Sequence, residues 1–177
     1  MVRYPSLGQG AVFDTSFHSS MPAHSYMYPL PMDWYTTHHI RRYLHIAHCK
    51  EWHLICIRYG FHGPSHQYVV TKTAKLLNKP LSDLAIVSCH LGAGCSVTAS
   101  LGGVSQDTSM GFSPLSGLMM GGRCGDIDAS IVPHMATQLG LETTDILSMM
   151  NSSSGFMGIA GTPDSRYGSS CYTLYIQ

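Results

Sequence analysis

The alternation of apolar and polar positions is clearest in the middle of the chain. "LAIVSCHLG" reads as a buried strand, and "GAGCSVTASLGGVSQDTSM" as two more strands joined by a tight turn at Gly102-Gly103, because β-rich runs flank a glycine pair. A helix is predicted over Ser65 to about Asn78, with Ser65 as its N-cap and Pro80 beyond its end. "DASIVPHMATQLG" predicts a helix closed by Gly140, with Pro133 tolerated near the first turn. A further helix starts near Thr144 and ends around the loop "NSSSG". Upstream, "AVFDTSF" predicts a short strand from Ala11 to Phe17 ending near Asp14, and the Pro- and Tyr-rich "MPAHSYMYPLPMDWY" predicts a loop.

One stretch has no pattern. An Ile-Arg phrase ending in Tyr occurs at 40–43 and again at 57–59, and the intervening "LHIAHCKEWHLIC" has neither a period nor turn chemistry. Repeat architectures need several copies to bury a common core, so an insertion into a once continuous "IRRYGFHG" is the simpler account.

Charge narrows the function classes. Ten basic and ten acidic side chains cancel, which argues against a nucleic-acid partner or an anionic membrane surface and points to a small molecule. Charged residues are only 11% of the 177, so much of the surface is expected to be interior or interface. No apolar run approaches the roughly 20 residues that span a bilayer, and "MVRYPSLGQG" lacks a signal-peptide core, so a cytoplasmic location is expected. The six cysteines have no disulfide framework spacing, and Cys89 and Cys95 read as small buried hydrophobes. Eleven histidines invite a metal-binding alternative centred on His38, His39, His45, His48, Cys49 and His53, but their spacing matches no closed zinc pattern, and no metal ligand is assigned.

The candidate chemistry sits in "DTSMGFSPLSGLMMGGRCGDID", where Arg123 stands alone among small and apolar residues. A guanidinium on a backbone that approaches a ligand closely holds phosphate or carboxylate through paired charge-assisted hydrogen bonds. The alternative is a surface ion pair with Asp126 or Asp128. His66 and His90 read better as hydrogen-bonded structural histidines than as reacting groups.

Taken with "VFDTSFH" (12–18), "RYGFHGPSH" (58–66) and "VSCHLGAGCSV" (87–97), that stretch resembles the acetate kinase family, which includes propionate and butyrate kinases. The resemblance covers nearly all of the chain. It implies an α/β chain forming part of the two-domain, ribonuclease H-like fold of the actin, sugar kinase and Hsp70 superfamily, a mixed sheet with helices. It further implies ATP and Mg2+, a short-chain carboxylate such as acetate as acceptor, an acyl phosphate product and a homodimer. Within this chain Arg123 matches the arginine that stabilises the transferring group, His62 its histidine partner, and Asp14 the site acid, read here as orienting the magnesium shell. The turn His90, Leu91, Gly92, Ala93, Gly94 matches the nucleotide-phosphate loop, where the family carries Asn in place of Ala93. Asp164, Ser165 and Arg166 match an Asp-x-Arg phrase near the nucleotide.

Against longer family members the chain reads as a truncated one. Residues 1–16 would end a first domain, 17–84 would connect it with an insertion near 43–58, and 85–177 would begin the second, nucleotide-binding domain. Surface that should be covered would then be open. The alternative function is an inactive fragment or nucleotide-binding pseudokinase that lacks both ends of the cleft.

Overall fold

The computed structural model describes residues 12–42 and 61–167. Two short helices come first, α1 (Ala23–Tyr26) and α2 (Met32–His38), followed by the long α3 (Gly63–Leu77). An antiparallel sheet in the order β1 (Ala85–Leu91), β2 (Cys95–Leu101), β3 (Val104–Thr108) comes next. Helices α4 (Ile131–Leu139), α5 (Thr143–Ser152) and α6 (Gly155–Ala160) complete the described chain. The α/β class is as expected, and the three strands described pair antiparallel rather than as a mixed sheet.

The hairpin forms where the glycine pair stands. Gly102 and Gly103 both have positive φ, 59° and 81°, which a two-residue turn between right-twisted strands requires. Helix α3 begins two residues before its predicted start. Pro64 supplies a preset φ in the first turn, His62 is the N-cap in a left-handed conformation, and Ser65 lies inside the helix. Its C-cap Asn78 is left-handed as well, a residue tolerant of that region.

Several expectations fail for local reasons. Residues 12–18 form a turn and a 3-10 segment, Ser16–His18, and not a strand. A lone strand would leave its backbone donors and acceptors unpaired, and no described strand pairs with it. The Pro-rich stretch is not all loop, because Pro22 and Pro31 each fix φ immediately before a short helix, α1 and α2. The region read as an insertion near 43–58 lies outside the described residues, as do His45, His48, Cys49 and His53.

The sheet is turned the opposite way from a simple amphipathic reading. Its buried face is polar: Ser88 on β1, Ser96, Thr98 and Ser100 on β2, and Ser105 and Thr108 on β3. Helix α3 covers that face with Gly63, His66, Val70 and Ala74, one stripe at helical spacing. The apolar face is open, with Val87 68% and Leu91 73% exposed, and Cys89 is exposed beside them. Strand β1 is therefore not a buried strand, and only Cys95 of the cysteine pair is interior.

The core is rich in methionine. Met21, Phe61, Cys95, Met110 and Met120 form one buried cluster, with Tyr26 packed against it. Unbranched thioethers fill an irregular gap between a loop, a helix start and a sheet edge better than branched residues would. Arg42 bonds Asp107 of β3 at 3.0 Å, a half-exposed pair that contributes little to stability.

The open apolar face is expected to bind a hydrophobic reporter dye. Replacing Val87 and Leu91 together by Thr, a good strand former, should lower dye fluorescence and change stability by no more than about 0.5 kcal/mol per site, checked by urea unfolding.

Candidate active site

Four of the candidate residues sit close in sequence to a buried anchor. His62 follows Phe61, Gly94 precedes Cys95, Arg123 lies just beyond Met120, and Asp14 shortly before the buried Phe17. Packing of the anchors therefore fixes the approach of four distant segments.

Gly94 is the meeting point. A Cβ built there would lie 3.3 Å from Arg123 Nη1 and 3.5 Å from His62 Cε1. The two groups that the sequence pairs through a phosphoryl ligand thus flank one spot over the loop that follows β1. Asp14 is tied to the same region, since the Gly63 amide donates to its carbonyl at 2.8 Å and its charge acts on both His18 and His62. No Cβ fits at Gly63, where it would come within 2.3 Å of the Asp14 carbonyl oxygen.

Arg123 is not in the surface ion pair considered as an alternative. Asp126 accepts instead from the Gly117 amide, and Asp128 from the Ser130 amide and hydroxyl. One Arg123 nitrogen donates to the Pro114 carbonyl at 3.3 Å and lies 3.7 Å from the Met120 sulfur. Among the described residues its other donors have no protein acceptor, so they are available to an anion. The loop carrying Arg123 is clamped by backbone bonds from Ser154 to Gly122, Phe156 to Met120 and Met157 to Gly121.

The His90–Gly94 turn is compact. The Gly92 amide donates to the Gly94 carbonyl at 3.1 Å, and the Gly121 amide to the Ala93 carbonyl at 3.2 Å. Among the described residues the Ala93 and Gly94 amides donate to no protein acceptor, which leaves two adjacent N–H groups for phosphate. Leu91 points to the open apolar face and is not near these donors by any described bond. Pro163 reaches the Arg123 loop, its carbonyl 3.1 Å from a Cβ built on Gly121. Beyond it Asp164 and Arg166 bond to each other around Ser165 in an exposed 3-10 turn, Ser165–Tyr167.

Four histidines converge on the polar sheet face, and each finds a serine. His18 Nδ1 lies 2.9 Å from Ser105 Oγ, His66 Nδ1 2.8 Å from Ser88 Oγ, and His90 Nδ1 2.9 Å from Ser65 Oγ. Ser96 Oγ lies 2.7 Å from His66 Nε2 and 2.9 Å from His62 Nδ1. The rings of His62 and His90 stack at 3.7 Å. His66 and His90 thus make the hydrogen bonds expected of them, while His18, Ser88, Ser96 and Ser105 belong to the site although sequence reading singled out none of them, and Ser65, read as a helix cap, serves His90 instead. The signal was present as the alternation Ser96, Thr98, Ser100, a pattern that ordinarily marks a solvent face.

Burial pushes the His66 imidazole down to about 4, helped by the neighbouring rings of His18, His62 and His90. Burial likewise lowers His62, with His90 and Arg123 adding to it and Asp14 opposing. His18 is lowered chiefly by burial, with Asp14 opposing. His18, His62 and His66 are thus all pushed toward the neutral form, and His62 shares the space over Gly94 with the Arg123 guanidinium.

Comparison with solved structures defines the class. The fold matches a propionate kinase from Francisella tularensis with a TM-score of 0.81 and 40% identity, covering 97% of this chain and 40% of that one. It matches Porphyromonas gingivalis acetate kinase with a TM-score of 0.77 and 34% identity, covering 92% and 39%. The chain is thus part of an α/β fold of the actin, sugar kinase and Hsp70 type. The sequence profile of the Acetokinase family matches residues 2–50 and 45–173, and the chain belongs to that family. The two matched pieces meet inside the patternless stretch between the Ile-Arg phrases.

Among curated relatives, acetate kinase of Oleidesulfovibrio alaskensis is 47% identical over 163 residues, 92% of this chain and 37% of that protein. Acetate kinase of Nitratidesulfovibrio vulgaris is 48% identical over 162 residues, 92% of this chain and 35% of that protein. The chain spans little more than a third of the length of the curated relatives it matches. No described helix is long and apolar enough to cross a membrane.

The structure makes two predictions here. Gly63→Ala is expected to destabilise the chain by about 1–3 kcal/mol, read from the urea midpoint, because the helix start must shift away from Asp14. For His66 the folded value lies below the ordinary 6.5, so the unfolded chain takes up protons first as pH falls. Stability should accordingly be full above pH 6.5 and decline down to about pH 4, with His66 contributing a loss on the order of 3 kcal/mol; His66→Gln should flatten that slope in urea titrations.

Proposed function

We propose that this chain forms part of the cleft of a carboxylate kinase, which moves the γ-phosphoryl group of ATP onto acetate or another short-chain fatty acid. The observation that carries the reading is the convergence of Arg123 and His62 over Gly94, with the guanidinium's remaining donors unused by described protein groups. A carboxylate acceptor is already ionised and has no proton to remove, so positioning and charge neutralisation carry the catalysis. A carboxylate oxygen forms the new bond to the γ-phosphorus, and the bond to the β,γ-bridging oxygen breaks, giving an acyl phosphate and ADP. Arg123 neutralises charge on the equatorial oxygens during transfer, and His62 donates a hydrogen bond to them.

The free amides of Ala93 and Gly94 serve the nucleotide phosphates within the turn His90 to Gly94. Asp164, Ser165 and Arg166 would border the nucleotide through the Pro163 contact with the Arg123 loop. Magnesium fits the donor set. Among the described residues no three His, Cys, Asp or Glu side chains group as a metal site, and the acid beside the histidine cluster is Asp14, whose carboxylate has no described hydrogen-bond or ion-pair partner. One carboxylate with substrate phosphates is a usual magnesium shell. Magnesium held there would neutralise phosphate charge. In this reading residues 1–16 end a first domain, 17–84 connect, and 85–177 begin the nucleotide-binding domain, with a cytoplasmic location and a homodimer as the expected state.

A second reading, nucleotide binding without transfer, is favoured by Ala93, which offers no side-chain donor where the resemblance leads one to expect Asn.

The test is acyl phosphate formation from Mg-ATP and acetate or propionate, trapped with hydroxylamine. Product is expected from the chain, and Arg123→Ala should lower it by about 10³-fold. ATP binding without product from either acid, in a folded sample, would establish the second reading instead.

A further inference from the structure

Ser96 stands between two rings. Its hydroxyl is fully buried, 2.9 Å from His62 Nδ1 and 2.7 Å from His66 Nε2. A hydroxyl carries one proton, and among the described residues this one has no acceptor other than the two rings, so it donates to one ring and receives from the other. The tautomers of His62 and His66 are therefore coupled, and two proton arrangements satisfy them.

In the first, His62 Nδ1–H donates to Ser96, Ser96 donates to His66 Nε2, and His66 Nδ1–H donates to Ser88. The Ser88 proton is then left with the Thr98 carbonyl at 3.5 Å, at the limit of a hydrogen bond. In the second, Ser88 donates to His66 Nδ1 at 2.8 Å, His66 Nε2–H donates to Ser96 at 2.7 Å, and Ser96 donates to His62 Nδ1 at 2.9 Å. Every buried proton then lies in a short bond. Ser88 and His66 are 3% and 1% exposed, so a poorly placed donor there would be costly, and the second arrangement is preferred. It requires His66 to hold a single ring proton, which its burial secures.

We propose that Ser96, backed by His66 and Ser88, is a positioning residue that holds neutral His62 as its Nε2–H tautomer. The inference rests on the transfer reading for its purpose. His62 Nε2 lies 3.6 Å from a Cβ built on Gly94, on the side where Arg123 stands. The Nε2–H tautomer presents a donor to an anionic phosphoryl oxygen there, whereas the opposite tautomer would present a lone pair. A hydrogen bond on one ring nitrogen sets the state of the other, and the stacked His90 ring prevents His62 from turning freely.

The experiment is long-range 1H–15N correlation of the chain labelled with 15N-histidine at pH 7.5, with His62 assigned by its loss in His62→Gln. His62 is expected to be protonated at Nε2 and bare at Nδ1, and Ser96→Ala should shift it toward the Nδ1–H form. In the acyl phosphate assay Ser96→Ala should lower kcat by about 10- to 100-fold while KM for ATP changes less than about twofold. A wild-type His62 protonated at Nδ1 overturns the proposal, as does an unchanged tautomer in folded Ser96→Ala. Should Ser96→Ala fail to fold, the wild-type spectrum alone decides. Product formation with an Nδ1–H His62 would sink the role of Ser96 and leave the transfer reading intact. The expected spectrum with no product would do the reverse.

Discussion

The layer of serine and histidine between α3 and the sheet is the constraint on which the rest of the described structure depends. Polar side chains occupy the buried face of the three strands, and an interior of that kind is stable only when its hydrogen bonds are complete. Thr98, Thr108 and Ser100 bond one another or strand carbonyls, and imidazoles serve the serines: His18 from the 3-10 turn meets Ser105, His62 and His66 from the start of α3 meet Ser96 and Ser88, and His90 from the end of β1 meets Ser65 on α3. Each ring bridges a distance that an aliphatic side chain would fill without direction. The hydrogen bonds thus fix orientation as well as distance, which a site for a transferring group needs.

The same layer explains why three of the rings resist protonation. Burial disfavours the charge on His18, His62 and His66, and repulsion between neighbouring rings acts in the same direction. Among the described residues Arg123 supplies the guanidinium over Gly94, and Asp14 lies close enough for its charge to act on His62. The methionine cluster beneath holds these elements at one place, because Phe61, Cys95 and Met120 are each chain neighbours of a site segment.

Much of the fold was legible. Gly102-Gly103 announced the hairpin because only residues tolerant of positive φ suit that turn, and the pattern from Ser65 to Asn78 with Pro80 beyond it announced a helix of nearly the observed length, although His62 rather than Ser65 is its cap. The short strand expected before Asp14 was not there, since strand propensity without a pairing partner has nothing to stabilise it. The helices α1 and α2 were hidden by proline and tyrosine content, although proline suits a helix start as well as a loop. For the site, Asp14, His62, Gly94 and Arg123 were named from family phrases, while the free state of the Arg123 donors was visible only in space, where Asp126 and Asp128 turned out to serve backbone amides and Ser130.

By itself the sequence determined the family, the local turns and helices, and the residue types available for holding phosphate. Tertiary structure alone decided which face of the sheet is interior. The period-2 pattern of β2 separates Ser96, Thr98 and Ser100 from Val97, Ala99 and Leu101 but carries no sign to say which set is covered. That choice belongs to the partner across the interface. Because α3 brings His66 and the preceding loop brings His62, the polar set is buried here, and a strand that reads as solvent-facing becomes the wall of the candidate site.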